Sequence, residues 1–390
     1  MNEIFPIIRL KHPWRSNHPW IFQKLVEKPT SRIKPGALVT ICNCEGQRIG
    51  QGFYNGHSRI ALRVLETRTD VTIDPTWFAK KIADAIALRR NVLQLDSVST
   101  AWRAIHSEGD GLSGLVVDRY DNLLVIAFFS AGMFRYREWI FEALHTHFPG
   151  YHQHIVAEDH VQKQESFDLY PRTDVRPVTI CEHGVRFRVD PLQGHKTGFF
   201  TDQRDNRQWL SQHVADKRVL DLCCNTGGFS IFSAVHGARE VVGIDIDEDV
   251  LAIAKTNARL NNVHPVFIQA DIFPWLRENM EKNAALFDVV ILDPAKMTRD
   301  REDVIPALKK YLDMNKLALQ NVAKGGLFAT FSCTGLVSQE QFLDMLRRAA
   351  MYAGRTVQVL KLASAGADHP FMAHVPESYY LKAVFCRVID

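Results

Sequence analysis

Arg218-Val-Leu-Asp-Leu-Cys-Cys-Asn-Thr-Gly-Gly-Phe-Ser230 decides the fold. A short apolar run ends in a loop with paired glycines, and an apolar stretch of helical character follows. Strand, glycine loop and helix open a βαβ unit. There the glycines let backbone come close to a ligand, and the helix start offers unsatisfied N–H groups. The loop lacks the Gly-x-Gly-x-x-Gly spacing of dinucleotide sites, and no Gly-Lys-Ser/Thr follows as in a P-loop.

Outward from this stretch, strands and helices alternate. Strands are expected at Arg218–Leu222, Glu240–Ile244, Pro265–Gln269, Val289–Leu292 and Gly326–Phe331. Helices are expected near 227–236, 248–262, 303–323 and 338–353, and two late runs, Thr356–Lys361 and Tyr379–Val388, read as an antiparallel pair. This predicts an α/β fold with a Rossmann-like, mostly parallel sheet whose last strand is antiparallel.

Ligands of such sheets bind beyond the carboxyl ends of the strands. Asn225, Thr226, Gly227, Gly228 and Phe229 follow the first strand, Asp245 ends the second, Asp271 the third and Asp293 the fourth. Asp245 suits a pair of ribose hydroxyls and Asp271 an adenine amino group. Each alone reads equally as a helix N-cap. Together they favour an adenosine-containing cofactor, and the lack of a phosphate clamp favours S-adenosylmethionine over NAD.

Leu327-Phe-Ala-Thr-Phe-Ser-Cys-Thr-Gly335 ends the fifth strand on Cys333. A buried core thiol is the ordinary reading of a cysteine. Its strand-end position beside Ser332 and Gly335 favours a nucleophile instead. A thiolate adding to C6 of a pyrimidine makes C5 electron-rich enough to take a methyl group. A base then removes the C5 proton and the thiol leaves. Asp293 is expected on the N3/N4 edge of a cytosine. Lys296 across the crevice and the helix near 338 are expected to favour the thiolate.

The 390 residues, 46% hydrophobic and 23% charged, predict two or three domains with real cores. No apolar stretch is long enough to span a bilayer and the start lacks a signal segment, so no membrane association is expected. Seven scattered cysteines suit the reducing cytoplasm. Cys42-Asn-Cys44 and Cys223-Cys224 complete no four-ligand set, so no metal is expected. Residues 1–70 hold eleven Lys or Arg against five Asp or Glu, a net +6, while the other 320 hold 36 against 39. A basic domain on a near-neutral body hints at a polyanion partner.

That basic region, 1–70, reads as short strands with glycine turns, a small β-barrel, with Trp20 and Phe22 expected in its core. Residues 71–185 read as a small α+β domain, beginning with a helix from Pro75 to about Leu95. Its Arg103 and Ser107–Gly111 turn are expected to be structural. Residues 186–390 carry the alternating pattern.

The whole chain resembles the bacterial large-subunit ribosomal RNA (cytosine-5) methyltransferases with an N-terminal PUA domain. His18-Pro-Trp-Ile-Phe22, Gly50-Gln-Gly-Phe-Tyr-Asn55, Glu108-Gly-Asp-Gly-Leu-Ser-Gly114, His195-Lys-Thr-Gly-Phe-Phe-Thr-Asp-Gln-Arg204, Asn225–Phe229, Asp293-Pro-Ala-Lys296, Phe331-Ser-Cys-Thr-Gly335 and Asp368-His-Pro370 carry the resemblance. It implies a PUA-like RNA-binding domain (1–70), a central α+β domain (71–185) and an S-adenosylmethionine-dependent methyltransferase domain (186–390). It implies that Lys196, Thr197, Gly198, Phe199, Gln203 and Arg204 lie over the cofactor. It further implies that Asp245, Asp271 and Asp293 meet cofactor or base, and that Cys333 attacks. Ribosomal RNA is the implied partner, and a homodimer is compatible with the chain.

Two departures stand out. The family usually has Asp-Pro-Pro-Lys where this chain has Ala295, a change that keeps both Asp293 and Lys296. The second cysteine that other RNA cytosine-5 enzymes place in this motif is missing, which leaves the acceptor of the C5 proton unassigned. His369 is a candidate on residue type only, with a structural role weighing more. Two other readings stay open: methylation of another base position, such as a guanine nitrogen, which needs no thiol, and an RNA-binding assembly protein without catalysis.

Overall fold

Several strands among the described residues, such as Leu123–Phe128 and the Val289–Leu292 part of Phe287–Leu292, are continuously apolar because both of their faces are buried. The computed structural model describes residues 5–170, 175–192, 198–281, 286–298 and 300–390. They divide into two units, one of residues 1–180, 189–199 and 367–378, the other of 181–188, 200–366 and 379–390.

The first unit opens with five strands: β1 (Ile7–Arg9), β2 (Trp20–Phe22), β3 (Ala37–Cys42), β4 (Arg48–Tyr54) and β5 (Ile60–Glu66). They pair in the order β1-β3-β4-β5-β2. A bridge between Leu10 and Val26 links the chain just beyond the two outer strands, giving the barrel character expected. Ile8, Leu10, Ile21, Val39, Ile41 and Leu62 fill its interior. Gly52 has a packing reason to be glycine: a Cβ there would lie 2.1 Å from the carbonyl oxygen of Arg63 on β5. Trp20 is half-buried, its indole N–H donating to Glu108 Oε1 at 2.8 Å. Phe22, expected in the core, is 43% exposed.

A second sheet, β6 (Ala101–His106), β7 (Leu115–Tyr120), β8 (Leu123–Phe128) and β9 (His152–Val156), is antiparallel except for β9, which runs parallel to β8. Helix α1 (Pro75–Ala87) starts at an Asp74 N-cap, with Pro75 at its first position. The helix expected to reach Leu95 stops at Ala87 and continues as a π turn, Leu88–Val92. The turn swings Arg89 inward. Its guanidinium meets both oxygens of Asp110 at 2.6 and 2.9 Å and the Asp368 carbonyl at 2.7 Å. Arg103 likewise grips both oxygens of Asp118, and Ser107–Asp110 forms a 3-10 turn. Three more helices complete the unit: α2 (Ala131–Arg135), α3 (Arg137–His147) and α4 (Asp159–Glu165).

Strands β10 (Val178–Glu182) and β11 (Val185–Val189) form a two-stranded sheet. The second unit then alternates α5 (Arg204–Ser211), β12 (Arg218–Leu222), α6 (Gly228–Val235), β13 (Glu240–Asp245), α7 (Glu248–Leu260), β14 (Val266–Gln269), α8 (Ile272–Glu281), β15 (Phe287–Leu292), α9 (Val304–Gln320), β16 (Val322–Ser332), α10 (Gln339–Ala353), β17 (Val357–Ala363) and β18 (Lys382–Val388). The seven strands lie in the order β14-β13-β12-β15-β16-β18-β17, with only β18 antiparallel to its neighbours. Both faces are covered. Leu220, Leu222, Val290, Leu292 and Phe328 point to one core with α8, α9 and α10, and Val219, Val289, Ile291, Ala329 and Phe331 point to the other with α5 and α6. Progression reverses between β12 and β15, which makes that pair the switch point where such folds bind ligands.

Candidate active site

The loop between β12 and α6 turns sharply because Cys223, Asn225 and Gly227 all have left-handed backbone, at φ 62°, 48° and 82°. A Cβ on Gly227 would come within 3.0–3.2 Å of Ile231, Ala254 and Phe267, so glycine is needed there twice over. The loop is held from two sides. Asn225 N–H donates to Asp245 Oδ2 at 2.9 Å, and buried Asn257 of α7 donates to the Thr226 carbonyl at 3.0 Å. Asp245 accepts a second bond from Asp247 N–H at 3.1 Å through its other oxygen, which fixes the carboxylate plane at the strand end. Each oxygen keeps a further lone pair for a diol. Next to it, Ile246 is 68% exposed and offers apolar surface to a flat ring.

Asp271 is exposed, and its Oδ1 accepts from Phe273 N–H at 2.8 Å in the first turn of α8. Thr226 and Gly228 are half-buried, and Phe229 is core, its ring 5.2 Å from that of Phe331. Gln203 is buried, donating to Asp293 Oδ2 at 2.9 Å and accepting from Asn206 at 2.7 Å. Arg204 is buried and pairs with Asp205 at 3.1 Å. Gly198 and Phe199 belong to the first unit, where the Tyr120 hydroxyl donates to the Phe199 carbonyl at 3.0 Å. Lys196 and Thr197 lie outside the described residues.

Cys333 follows β16 directly and is half-buried, its Sγ 4.0 Å from the Pro294 carbonyl in the loop after β15. One side chain clamps the two loops together. The Thr334 hydroxyl accepts from Met297 N–H at 3.2 Å and shares a hydrogen bond with the Tyr311 hydroxyl at 2.9 Å. Lys296 is solvent-exposed on that loop. The helix expected to favour the thiolate starts only at Gln339, and a Ser338–Gln341 capping box closes its first turn. Cys333 lies outside that turn, where the dipole has faded. The other thiols nearby are poor nucleophiles: burial pushes those of Cys223 and Cys224 well up. Among the described residues, no three His, Cys, Asp or Glu side chains cluster as for a metal. His369 is buried in the first unit, its Nδ1 3.1 Å from Asp368 and its ring 5.0 Å from that of His106.

Two carboxyls beneath the loops hold their protons unusually well. Burial, then the neighbouring charges of Asp202 and Asp221, raises Asp293 to about 7. Burial, opposed by the Ser230 hydrogen bonds, raises Asp221 to about 7 as well. Asp221 Oδ2 accepts from Ser230 N–H and Oγ–H at 2.9 and 2.6 Å, while Oδ1 has no partner among the described residues. In the unfolded chain such groups ionise near about 3.9. Their contribution to stability is therefore full below that value and lost as pH rises through about 7. Asp221→Asn, which keeps an acceptor for Ser230, should be more stable than the wild type at pH 8 by about 1–3 kcal/mol and not at pH 5. Urea unfolding at both values checks this, and equal differences would contradict the buried acid.

Sequence reasoning missed several of these residues. Asp221 and Asn257 sit inside apolar elements. Arg207, whose guanidinium lies against Gly228 and pairs with both oxygens of Glu182 at 2.8 and 2.9 Å, reads as a surface charge.

Comparison with known proteins fits this geometry. A family model described as S-adenosylmethionine-dependent methyltransferase matches residues 146–358, and one described as PUA-like domain matches 9–67. The fold is similar to SMU.776, a methyltransferase solved in complex with SAH, at a TM-score of 0.80 and 19% identity over 98% of this chain and 99% of that one. A methyltransferase from Streptococcus mutans superposes at 0.75, with 19% identity over 92% and 93%. The chain is thus an S-adenosylmethionine-dependent methyltransferase carrying a PUA-like domain. The Ribosomal RNA large subunit methyltransferase I of Aeromonas hydrophila is 38% identical over 95% of each chain, and that of Vibrio cholerae 36% over 96%. The chain belongs to that family.

The residues present fit the cofactor. Asp245 has lone pairs for a ribose diol, Ile246 an apolar face, and the Asn225–Gly228 loop close backbone at a helix start. Asp245→Ala should weaken S-adenosylmethionine binding by about 1–3 kcal/mol, because the hydroxyls lose their acceptor. Calorimetry measures it, and an unchanged affinity would remove Asp245 from the site.

Proposed function

We propose that the protein methylates C5 of a cytosine in large-subunit ribosomal RNA through a covalent bond between Cys333 Sγ and C6. The observation that carries this reading is the clamp at the switch-point side of the sheet, where Thr334 ties the Cys333 loop to the loop of Asp293. A nucleophile and a proton donor on adjoining loops are what the chemistry requires. Asp293, still partly protonated near neutral pH, donates to N3 and draws electron density from C6. Cys333 thiolate adds to C6, and the displaced π electrons make C5 nucleophilic. Bound S-adenosylmethionine supplies the methyl group. A base then takes the C5 proton, the C5–H electron pair restores the C5–C6 double bond, the S–C6 pair returns to sulfur as the thiolate, and the N3 proton goes back to Asp293. Gln203 orients the Asp293 carboxyl throughout.

Asp271 and Phe229 serve the cofactor in this reading through the loops they brace, and Lys196, Thr197, Gly198, Phe199 and Arg204 keep the cofactor role that the resemblance implies. The basic first 70 residues hold the RNA, and an unstacked target base enters the site. The names of the relatives support ribosomal RNA as substrate, and the cytoplasm is the compartment proposed for that work. No helix among the described residues is long and apolar enough to cross a membrane. The proposed functional division is 1–70 for RNA binding, 71–185 as a central part and 186–390 for methyl transfer, although 189–199 and 367–378 fall in the first unit.

Nucleoside mass spectrometry of ribosomal RNA from cells lacking the protein tests the reading. Loss of one 5-methylcytidine from the large subunit is expected. An unchanged 5-methylcytidine level, or loss of a different methylated nucleoside, would overturn it.

A further inference from the structure

Lys382 opens β18, paired in register with Ser332 at the end of β16. The residue is 1% exposed. Its Nζ donates to the Thr334 carbonyl at 2.6 Å and the Tyr380 carbonyl at 2.9 Å. Both acceptors are neutral. An ammonium withdrawn from water calls for a counter-charge. The carbonyl it grips belongs to the residue after Cys333, and a charge on that thiol works against the burial that lowers the pKa of the ammonium.

The other titratable groups around it do not fill that role. On α9, burial pushes the Tyr311 hydroxyl up to about 12, so it stays neutral. Asp293, on the loop after β15, gives its Oδ2 to Gln203. Before β18, Tyr380 turns its hydroxyl to Asp202 at 2.6 Å and offers Lys382 only its carbonyl.

We infer that Lys382 is a positioning residue that holds Cys333 as a thiolate, the buried ammonium and the half-buried sulfur forming a pair at the Ser332–Gly335 loop. The inference rests on the proposed role of Cys333 and adds a buried cation to the exposed Lys296 expected across the crevice. Burial brings the ammonium down, to about 8. Each favours the charged form of the other, and the pair loses its two protons in two coupled steps. Lys382 acts on the base only through the sulfur.

Iodoacetamide alkylation of the Cys333 peptide, followed by mass spectrometry against pH, tests this without RNA. Lys382→Met should raise the alkylation midpoint by about one pH unit and slow alkylation at pH 7 about tenfold. Lys382→Arg should restore the wild-type midpoint. An unshifted midpoint in a folded Lys382→Met protein overturns the inference. If that variant does not fold, the pair is read from its other half. Carbon-13 lysine NMR of Cys333→Ser should show the Lys382 midpoint falling once the thiolate is gone, and an unchanged midpoint overturns the inference equally. The two ideas fail separately. Methylation that survives Cys333→Ser removes the nucleophile, whereas an unshifted alkylation profile removes only Lys382.

Discussion

Cys333→Ser should lower kcat for methyl transfer by about 10³-fold or more, with affinity for S-adenosylmethionine nearly unchanged. A serine hydroxyl is not ionised near neutral pH and adds poorly to an aromatic ring. The sulfur contacts the Pro294 carbonyl, whereas the proposed cofactor contacts fall on Asp245 and Asn225–Gly228, which bond to each other. Catalysis and cofactor binding therefore separate at this position. Calorimetry with S-adenosylmethionine and transfer to unmodified ribosomal RNA measure the two. Equal loss of both would mean a structural thiol, and full activity would mean an acceptor, such as a guanine nitrogen, that needs no covalent bond to the enzyme.

Asp293→Ala should cost about 10²–10⁴-fold in kcat/KM, the usual worth of a placed proton donor. In the proposed mechanism the acid form is the working form, and burial raises its pKa to about 7. Activity should fall as pH rises through that value, against the rise expected from thiolate formation. Asp293→Asn keeps a hydrogen-bond donor but no ionisable proton. It should retain part of the rate and lose the fall near pH 7. A wild-type profile that climbs monotonically to pH 9 would contradict a protonated Asp293.

Most of the second unit was legible because its strands alternate cleanly between two cores. Val219 and Leu220 already point to opposite faces in the sequence, and the expected strand ends differ from the observed ones by few residues. β16 is the exception: it starts at Val322 rather than Gly326, because Gly325 at φ 77° lets the strand continue through an irregularity. Helix α5 was missed because its pattern is polar. Arg204 and Arg207 are both buried, and Arg207 is neutralised by Glu182, so burial does not follow hydrophobicity there. Helix α8 hides behind Pro274, which is tolerated only because it falls in the first turn.

The candidate site was half legible. Strand-end aspartates and the thiol follow from the rule for parallel sheets. Lys382, by contrast, is a lone charge in an apolar strand, and its pairing with the Cys333 loop comes from an antiparallel register 50 residues apart in sequence between Ser332 and Lys382. His369 lies between segments of the second unit, yet its stretch, 367–378, joins the first. No local pattern signals that return.

The most direct test replaces cytidine with 5-fluorocytidine in a ribosomal RNA fragment and adds enzyme with S-adenosylmethionine. Fluorine at C5 cannot leave as a proton does, so the S–C6 bond should persist. Mass spectrometry should then find one methylated nucleotide attached to the peptide that carries Cys333. Turnover of unsubstituted RNA with no adduct on the fluorinated RNA, or an adduct on any other residue, would contradict the account.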